Sequence, residues 1–588
     1  MESISIANCS GFYGDRLDAA REMVEGGPID VLTGDYLAEL TMAILWRTRT
    51  KDPTAGYATT FLTQMEQVLG TCLDRGIKVV ANAGGLNPEG LAAKLEELAD
   101  RLGLVPTIAY VEGDDLLPRL QELVGQGADL SHLDTEASFD EIADRVLTAN
   151  AYTGGWGIAT ALSRGADVVV TGRVTDASLV VGPAAWRFGW SPHDWDALAG
   201  AVVAGHIIEC GPQCTGGNYS FFQEIQGLER LGFPIAEVGP DGSSVITKHL
   251  DTGGAVTVGT VTAQLLYEIA GPRYLNPDVT ARFDTIRLAQ EGTDRVLVAG
   301  VRGEPPPPAT KVGINYLGGF RNTVTLVIPG LDIEDKAEVA LAALWRSLGG
   351  EDRFAQVDVR LVRHDQIDPE RNEDAFAYLS VTVKDRDREK VGRAFSGKGV
   401  ELALSNYPGF TLTAPPGDGS PYAVYWPAAV PSELITQRVK IGGETIEVPS
   451  ALSTSQGPRL DTEGLPAGGP VGGPTTAVPL GHLVGARSGD KGGNANVGVW
   501  ARSPQVYAWL SRFLTVERFR RLIPEAKDLE VGRYPLPNLL AVNFVVVGLL
   551  GEGVASSTRQ DPQAKTLGEY LRARVVDVPV ALLEEDAS

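Results

Sequence analysis

The first third of the chain repeats one pattern of hydrophobic and polar positions. A short apolar run rich in β-branched residues ends in a turn rich in glycine and Asp or Asn, and an amphipathic stretch follows. The pattern occurs five times, in SISIANCSGFYGDRLDAAREMV, IDVLTGDYLAELTMAIL, IKVVANAGGLNPEGLAAKLEELADRLGL, PTIAYVEGDDLLPRLQELV and ADVVVTGRVTDASLVVGPAAW. Such alternation predicts βα units. Val168–Thr171 does not alternate, which is typical of a strand buried on both faces. We therefore predict an α/β domain with an open, Rossmann-like parallel sheet, and an eight-stranded barrel is the alternative.

Polar residues follow each predicted strand at the point where it ends. Ligands of open α/β sheets and of βα barrels bind at the carboxyl ends of the strands. We therefore expect these polar side chains to converge on one edge of the sheet: Ser10, Asp15, Arg16, Asp35, Asn82, Asn87, Asp114, Arg173 and Asp176.

The pattern changes twice along the chain, which suggests three domains. Residues 1–235 contain the βα units, and 236–464 are richer in Val, Thr and turns, typical of an α+β domain with a mixed or antiparallel sheet. Residues 465–476, LPAGGPVGGPTT, have the composition of a linker. In 477–588 we predict strand, helix, strand, helix and strand, the arrangement of a small ferredoxin-like α+β domain.

Composition and charge exclude several classes of function. The 588 residues are 43% hydrophobic and 21% charged, and the formal net charge is −24. An acidic chain argues against a nucleic-acid or anionic-membrane partner, but not against a small anionic substrate in a basic pocket. The N-terminus lacks the pattern of a signal peptide and no apolar run reaches membrane-spanning length, so we expect a cytoplasmic protein. The many glycines and the appended small domain lead us to expect a homo-oligomer.

Several nucleotide and hydrolase signatures are absent from the sequence. There is no G-x-x-x-x-G-K-[ST], H-E-x-x-H or G-x-S-x-G, and no G-x-G-x-x-G follows a predicted strand. The stretch GARSGDKGG differs from a P-loop in its spacing and has no Ser or Thr after the lysine. We therefore expect no cofactor, although a divalent metal is not excluded and coenzyme A can form part of the substrate.

The densest group of reactive side chains lies in AGHIIECGPQCTGGNY. On a helix, His206 and Glu209 share one face at i, i+3. They can act as general base and orienting acid, or as two metal ligands, and the alternative is a polar helix end. Cys210 and Cys214 lack the second Cys/His pair of a zinc site, so we assign no metal ligands.

Two strand-end turns supply further candidates. Asp35 precedes Glu39 by four residues, so it is either an acid–base group or a helix cap. Arg173 can fork onto a substrate carboxylate or pair with Asp176. We take His206, Glu209, Asp35 and Asp176 as the candidate catalytic residues.

Candidate substrate-binding residues come from three turns. The first turn offers Ser10, Tyr13 and Arg16, and the third offers Asn82 as an uncharged donor. Cys9 is either a nucleophile or a small buried residue. In GARSGDKGGNANVGVW, residues 485–500, successive glycines near cations predict a backbone nest for an anion. We expect this loop to close the N-terminal strand-end site, within one chain or from a partner subunit, with Arg487, Asp490, Lys491 and Asn494.

Seven long strings together resemble the acyclic terpene utilisation (AtuA-like) protein family. They are SGFYGDR, GGPIDVLTGDYLAELTM, VVANAGGLNPEGLA, GADVVVTGRVTDASLVVGP, AGHIIECGPQCTGGN, DTGGAVTVGTVTAQLLYEI and ARSGDKGGNANVGVW, in order over nearly the whole chain. The resemblance implies a cytoplasmic protein of citronellol and geraniol catabolism, whose routes use acyl-CoA thioesters, carboxylation, hydration and lyase cleavage. It also implies a C-terminal ferredoxin-like domain, but it assigns no catalytic residues.

Three functions are compatible with these residues. The first is a cofactor-independent hydratase or lyase acting on a branched acyl-CoA or a small carboxylic acid. The second is a non-catalytic assembly or binding subunit of the same pathway. The third is a hydrolase that uses Cys9 or a metal-bound water.

Overall fold

The computed structural model describes residues 3–451 and 473–586. The chain divides into two compact units. The first unit takes the described parts of 1–315, 425–554 and 561–588, and the second takes 316–424 and 555–560.

The strands of the described residues are as follows: β1 Ile4–Asn8, β2 Val31–Gly34, β3 Lys78–Ala81, β4 Ile108–Glu112, β5 Val146–Ala151, β6 Val168–Thr171, β7 Pro234–Val238, β8 Ser244–Lys248, β9 Arg273–Leu275, β10 Thr280–Arg282, β11 Arg287–Gly292, β12 Arg295–Ala299, β13 Arg302–Glu304, β14 Ala309–Pro329, β15 Gln356–Arg363, β16 Phe376–Asp385, β17 Thr411–Leu412, β18 Ser420–Pro431, β19 Thr436–Ile441, β20 Glu444–Pro449, β21 Thr475–Pro479, β22 Val484–Lys491, β23 Asn494–Ala501, β24 Val531–Leu536, β25 Ala541–Val546 and β26 Val575–Pro579.

The α-helices are α1 Ala19–Glu25, α2 Glu39–Lys51, α3 Thr59–Arg75, α4 Pro88–Leu102, α5 Leu120–Gly125, α6 Trp156–Ser163, α7 Ser178–Phe188, α8 Trp195–Ile208, α9 Val258–Leu265, α10 Ile333–Leu348, α11 Arg388–Val391, α12 Arg393–Glu401, α13 Pro504–Phe513, α14 Val516–Leu522, α15 Leu567–Arg572 and α16 Val580–Asp586.

The first unit is built on a mixed sheet of eleven strands in the order β11-β12-β8-β7-β1-β2-β3-β6-β4-β19-β20. The five strands of the repeated βα pattern, β1-β2-β3-β6-β4, are parallel neighbours at its centre. The outer strands pair antiparallel, with β7 beside β1 and β19 beside β4. The fold is therefore α/β with a mixed sheet, and the predicted Rossmann-like all-parallel sheet is not what forms. The physical reason is that the hairpins β7–β8 and β19–β20 extend both edges of the parallel core.

Alternation along the parallel strands supplies two cores, one on each face of the sheet. In β6, Val168 and Val170 pack with α1, α3 and α4, whereas Val169 packs with α6, α7 and α8 on the other face. All four residues of β6 are buried. Successive side chains of a strand point to opposite faces, so a strand covered by helices on both sides must be apolar throughout.

Five strands of the predicted middle domain belong to this first sheet. β8, β11, β12, β19 and β20 join it through β7 and β4, so the first unit continues past residue 235. Composition marks these segments as strands but does not specify which sheet they join. The predicted linker 465–476 lies outside the described residues up to 472, and β21 begins at Thr475.

The second unit has its own antiparallel sheet, in the order β15-β16-β14-β17. β14 pairs with β16 from Phe320 opposite Asp385 to Pro329 opposite Phe376. Its core contains Val324, Leu326 and Ile328 of β14 together with apolar residues of α10 and α12.

The C-terminal part of the first unit has a four-stranded antiparallel sheet in the order β22-β23-β25-β24. One core joins this sheet to α13, α14 and α15. The stretch GARSGDKGGNANVGVW, expected to be a loop, is instead the hairpin β22–β23 with Gly492 and Gly493 at its turn. Two of its five glycines form the turn, and the other three, Gly485, Gly489 and Gly498, lie within the strands.

Candidate functional site

The hairpin β22–β23 packs closely on the segment that follows α9. A Cβ atom on Gly489 would overlap the Tyr267 ring, and one on Gly498 would lie 2.5 Å from Cβ of Leu266. Glycine is required where a backbone comes this close to another part of the protein. The C-terminal hairpin therefore packs within one chain on the segment after α9. Closure of the strand-end site by this hairpin stays a prediction.

Two buried asparagines of the C-terminal sheet hold the backbone around Glu268. The Glu268 N–H donates to Oδ1 of Asn496 at 2.8 Å, and Nδ2 of Asn496 donates to the Leu266 carbonyl at 2.9 Å. Nδ2 of Asn543 donates to the Ala270 carbonyl at 2.6 Å. Glu268 has φ +56°, a conformation that non-glycine residues seldom adopt and that the surrounding structure must impose.

Ten charged side chains meet in this region, and we call them the charged cluster. Each alters the pKa of at least one other or has its own pKa altered by one. The carboxyl members are Asp35, Glu39, Asp176, Glu209, Glu268 and Asp490, and the cationic members are Arg173, Lys311, Arg487 and Lys491.

Several carboxyls of the charged cluster hold their protons unusually tightly. Burial raises the pKa of Asp35 and of Glu209 well above their usual values, and the negative charge of Asp176 raises both further. Burial also raises the pKa of Glu268, and it raises that of Asp490 to about 8. Burial therefore shifts the titration of these four carboxyls toward the protonated form.

The cations of the charged cluster lie against tyrosine rings and carboxylates. Arg173 stacks 4.2 Å from the centroid of Tyr152 and donates to Asp176 at 2.6 Å. Nζ of Lys311 lies 4.8 Å from the same ring. Nζ of Lys491 donates to the Glu268 carbonyl at 2.9 Å, and burial lowers the pKa of this lysine. A lysine with a lowered pKa exchanges protons more readily near neutral pH.

His206 and Glu209 lie side by side, as the helical spacing predicts, but the histidine is enclosed. Nδ1 of His206 is 3.2 Å from Oε1 of Glu209, and the ring contacts Tyr274 and Phe283. Its side chain is 0% exposed, and burial lowers its pKa to about 4. His206 is thus neutral at physiological pH. Among the described residues, neither of its ring nitrogens has a hydrogen-bond partner, and neither does Oε2 of Glu209.

Asp35 and Asn82 form a buried pair between the ends of β2 and β3. Nδ2 of Asn82 donates to Oδ1 of Asp35 at 2.6 Å, and Oδ1 of Asn82 accepts the Tyr36 N–H. Asp35 also accepts the Leu37 N–H, and the cap of α2 is Ala38, so Asp35 does not cap that helix. Both polar atoms of Asn82 are engaged, which makes it a positioning residue for Asp35.

The predicted binding residues of the first turn contact neighbouring structure. Oγ of Ser10 donates to the Phe12 carbonyl, and the Tyr13 hydroxyl lies 3.4 Å from Oγ1 of Thr59. Arg16 forms an ion pair with Glu22 at 3.1 Å. No interaction of these three side chains with the charged cluster is found among the described residues.

The other predicted residues are divided between the site and structural roles. Asn494 at the hairpin turn donates to Asp134 and accepts the Gly548 N–H. Cys9 is buried, and burial raises the pKa of its thiol above the usual range. No group of three or more His, Cys, Asp and Glu side chains is placed to hold a metal ion in residues 3–451 and 473–586.

Sequence reasoning missed six of the residues in and around the charged cluster. Glu268, Lys311 and a set of tyrosines were not identified, the tyrosines being Tyr152, Tyr267, Tyr274 and Tyr425. The one usable signal was Glu268, a lone acidic residue in the apolar stretch LLYEIAG. The tyrosines had no recognisable spacing because they come from distant parts of the chain.

Comparison with known proteins places the chain in one family. Residues 4–441 match the family model described as acyclic terpene utilisation family protein AtuA, and residues 478–577 match the AtuA ferredoxin-like domain. No curated protein and no solved structure matches the chain. Nor does any helix within the described ranges have the length and apolar character needed to cross a membrane. The chain therefore belongs to the acyclic terpene utilisation AtuA family, with the ferredoxin-like domain at its C-terminal end, which implies a role in acyclic terpene utilisation.

Proposed function

We propose that this protein is a catabolic enzyme of branched or acyclic-terpenoid acid metabolism. Its reaction is a reversible dehydration, catalysed without a redox cofactor, on an acyl-CoA thioester or a small carboxylic acid. We also propose that it acts in the cytoplasm as a homo-oligomer, with a small anionic substrate as its partner. Family membership supports the pathway, and the charged cluster supports the type of chemistry.

The observation that carries the proposal is that Asp176, held by Arg173 at 2.6 Å, lies close enough to Glu209 for its charge to raise the pKa of that buried carboxyl. Dehydration needs one group that takes a proton next to a carbonyl and another that gives a proton to the leaving hydroxyl. A carboxyl whose environment raises its pKa can serve as the acid, and a second carboxylate can serve as the base. Burial and the charge of Asp176 raise the pKa of Glu209, while Asp176 is 31% exposed and paired with Arg173.

The proposed step balances with these two groups alone. Asp176 takes the proton from the carbon next to the carbonyl, and that C–H electron pair forms the new C=C bond. The hydroxyl on the next carbon leaves as water with the proton of Glu209. Lys491 donates one N–H to the Glu268 carbonyl, and its other N–H groups stabilise the developing enolate oxygen. Hydration is the reverse of this sequence.

The two alternatives have less support. A hydrolase using Cys9 requires a thiolate, whereas burial raises the pKa of this thiol. A purely structural subunit gains nothing from bringing ten charged groups together and burying four of them, Asp35, Arg173, Glu209 and Arg487, because desolvating each charge costs several kcal/mol.

Solvent exchange and turnover test the proposal. The protein is incubated in D2O with methyl-branched 3-hydroxyacyl-CoA thioesters and with the corresponding free acids. NMR then measures deuterium incorporation next to the carbonyl, and absorbance measures alkene formation. We expect Glu209→Gln and Asp176→Asn to lower the rate by roughly 100-fold or more, the usual contribution of a general acid or base.

Glu97→Gln is the matched control. Glu97 lies on α4, is 63% exposed and pairs with Lys94 on the same helix, so we expect its removal to leave the rate unchanged. A protein that neither exchanges the proton nor forms the alkene with any substrate of the panel is not this hydro-lyase. Full activity in both site variants excludes the assigned residues.

A further inference from the structure

A cavity of about 360 Å³ lies beside the charged cluster, between the loop after α8 and the C-terminal domain. Its wall includes Ser220 and Phe222 on one side and Arg487, Ser488 and Lys565 on the other. The volume is in the range of small-molecule sites.

Arg487 is a buried cation in the wall of this cavity without a carboxylate partner. The residue is 5% exposed, its guanidinium stacks 4.3 Å from the centroid of Tyr267, and its hydrogen bond goes to the neutral side chain of Gln213. No carboxylate of the described residues lies within ion-pair distance of it. A buried charge without a counter-ion is costly, since its desolvation is not offset. Burial lowers the pKa of Arg487 accordingly.

The other charges of the wall leave a positive excess. Glu569 is neutralised by Arg572 at 2.7 Å and also accepts the hydroxyl proton of Ser220. Lys565 is exposed at the rim and forms no ion pair within the part of the chain that the structure describes. Two cations, Arg487 and Lys565, are therefore left for an anion from outside the chain.

The opposite side of the cavity is apolar. Tyr219, Phe222 and Leu228 line it, and Phe222 and Leu228 are 51% and 38% exposed. An apolar wall facing two cations matches a ligand with a short aliphatic body and an oxyanion at one end.

We propose that this cavity binds an aliphatic oxyanion, with its charged end on Arg487 and Lys565 and its hydrocarbon on Tyr219, Phe222 and Leu228. Its role as a substrate subsite rests on the proposed function; its ability to bind does not. The oxyanion is either a substrate carboxylate or a phosphate of coenzyme A.

Calorimetry with matched probes tests the proposal. The probes are 4-methylpentanoate, the uncharged 4-methylpentan-1-ol and coenzyme A, each titrated into the full chain. We expect an oxyanion probe to bind at least tenfold more tightly than the alcohol, and to lose at least tenfold in Arg487→Met and in Lys565→Met. Binding of the carboxylate identifies that source, and binding of coenzyme A alone identifies the phosphates. Equal binding of acid and alcohol, or binding by neither oxyanion, overturns the proposal.

Two controls distinguish a ligand-binding role of Arg487 from a purely structural one. Lys527→Met removes an exposed lysine of the same domain outside the cavity wall, so binding should be unchanged. If Arg487 is a ligand group, Arg487→Met leaves the ligand-free melting temperature unchanged or raises it, since an unpaired buried charge is lost. A lower melting temperature together with unaltered affinity assigns Arg487 a structural role and overturns the proposal. Glu209→Gln should still bind the probe, so a failed hydro-lyase assignment does not affect this result.

Discussion

Asn496 and Asn543, which hold the backbone around Glu268 by hydrogen bonds, form what we call the asparagine clamp. This clamp gives the sharpest test of how the C-terminal domain contributes to the site. Asn496→Ala removes three hydrogen bonds of a side chain that is 0% exposed: one from the Glu268 N–H, one to the Leu266 carbonyl and one to Asn543. At roughly 1 kcal/mol per bond, the loss is about 3 kcal/mol, and the buried partners left unsatisfied add to it. A protein of ordinary stability stays folded after such a loss.

The assay separates local from global effects with Asn322→Ala as the matched control. Asn322 lies in the other compact unit, is 7% exposed and also makes three hydrogen bonds: to the Val391 and Gly417 carbonyls and from the Thr323 N–H. Urea unfolding should show comparable losses of stability for both variants.

Hydrogen exchange then reports on the strained backbone itself. In Asn496→Ala, the peptide that contains Glu268 should exchange its amide protons faster, because φ +56° is no longer imposed. In Asn322→Ala the same peptide should exchange as in the unaltered protein. Under the proposed function, only Asn496→Ala should also lower the rate of dehydration. Unchanged exchange at Glu268 in Asn496→Ala would refute the reasoning that the C-terminal domain holds this residue in place.

Four further predictions follow from individual residues. Burial raises the pKa of Asp114 to about 7, so the folded state binds this proton more tightly than the unfolded state, and the free energy of unfolding falls as pH rises from about 4 to 7. Urea unfolding across this pH range should show that Asp114→Asn removes up to about 4 kcal/mol of the pH dependence. An unchanged slope contradicts the burial effect. Gly498→Ala places a Cβ within 2.5 Å of a neighbouring side chain and should lose about 1–3 kcal/mol, whereas Gly397→Ala, with open space around it, should not. Cys9→Ala should keep full activity with every substrate of the panel, and loss of activity in a folded variant would favour the thiol hydrolase. Burial raises the pKa of Asp490 to about 8, so at pH 8 an oxyanion that binds nearby should raise this pKa further and cause Asp490 to take up a proton. Calorimetry should show this uptake as a binding heat that depends on the buffer and that Asp490→Asn reduces.

The parallel core of the fold was predictable because its signal is local. Each of β1, β2, β3, β4 and β6 carries an apolar run followed by a polar turn, and all five form the centre of one sheet. The edges of that sheet were not predictable in the same way. β7 and β19 pair with strands that precede them by more than two hundred residues. The composition of a strand does not determine which other strand it pairs with.

The same distinction between local and long-range signals applies to the site. His206 and Glu209 share a helix face, and Arg173 and Asp176 share a turn, so their proximity could be read from spacing. Glu268 acquires its environment from residues more than two hundred positions later in the chain. The glycines of the hairpin were interpreted as a nest for an anion, whereas they allow two backbones to pack closely.

The charges of the site connect the two proposals. Without Arg487, which is left for an outside anion, the charged cluster contains six carboxyls and three cations, so a neutral cluster must retain at least three carboxylic acid protons. In a desolvated region, this retention of protons corresponds to raised pKa values of the carboxylic acids. An anionic substrate that approached these acids without counter-charges would be repelled by the remaining carboxylates. Arg487 is a member of the charged cluster and also lines the cavity, so an oxyanion held there is neutralised before it meets the acids. The C-terminal sheet supplies both Arg487 of the cavity wall and the asparagines that hold Glu268, so it contributes to the two proposed sites at once.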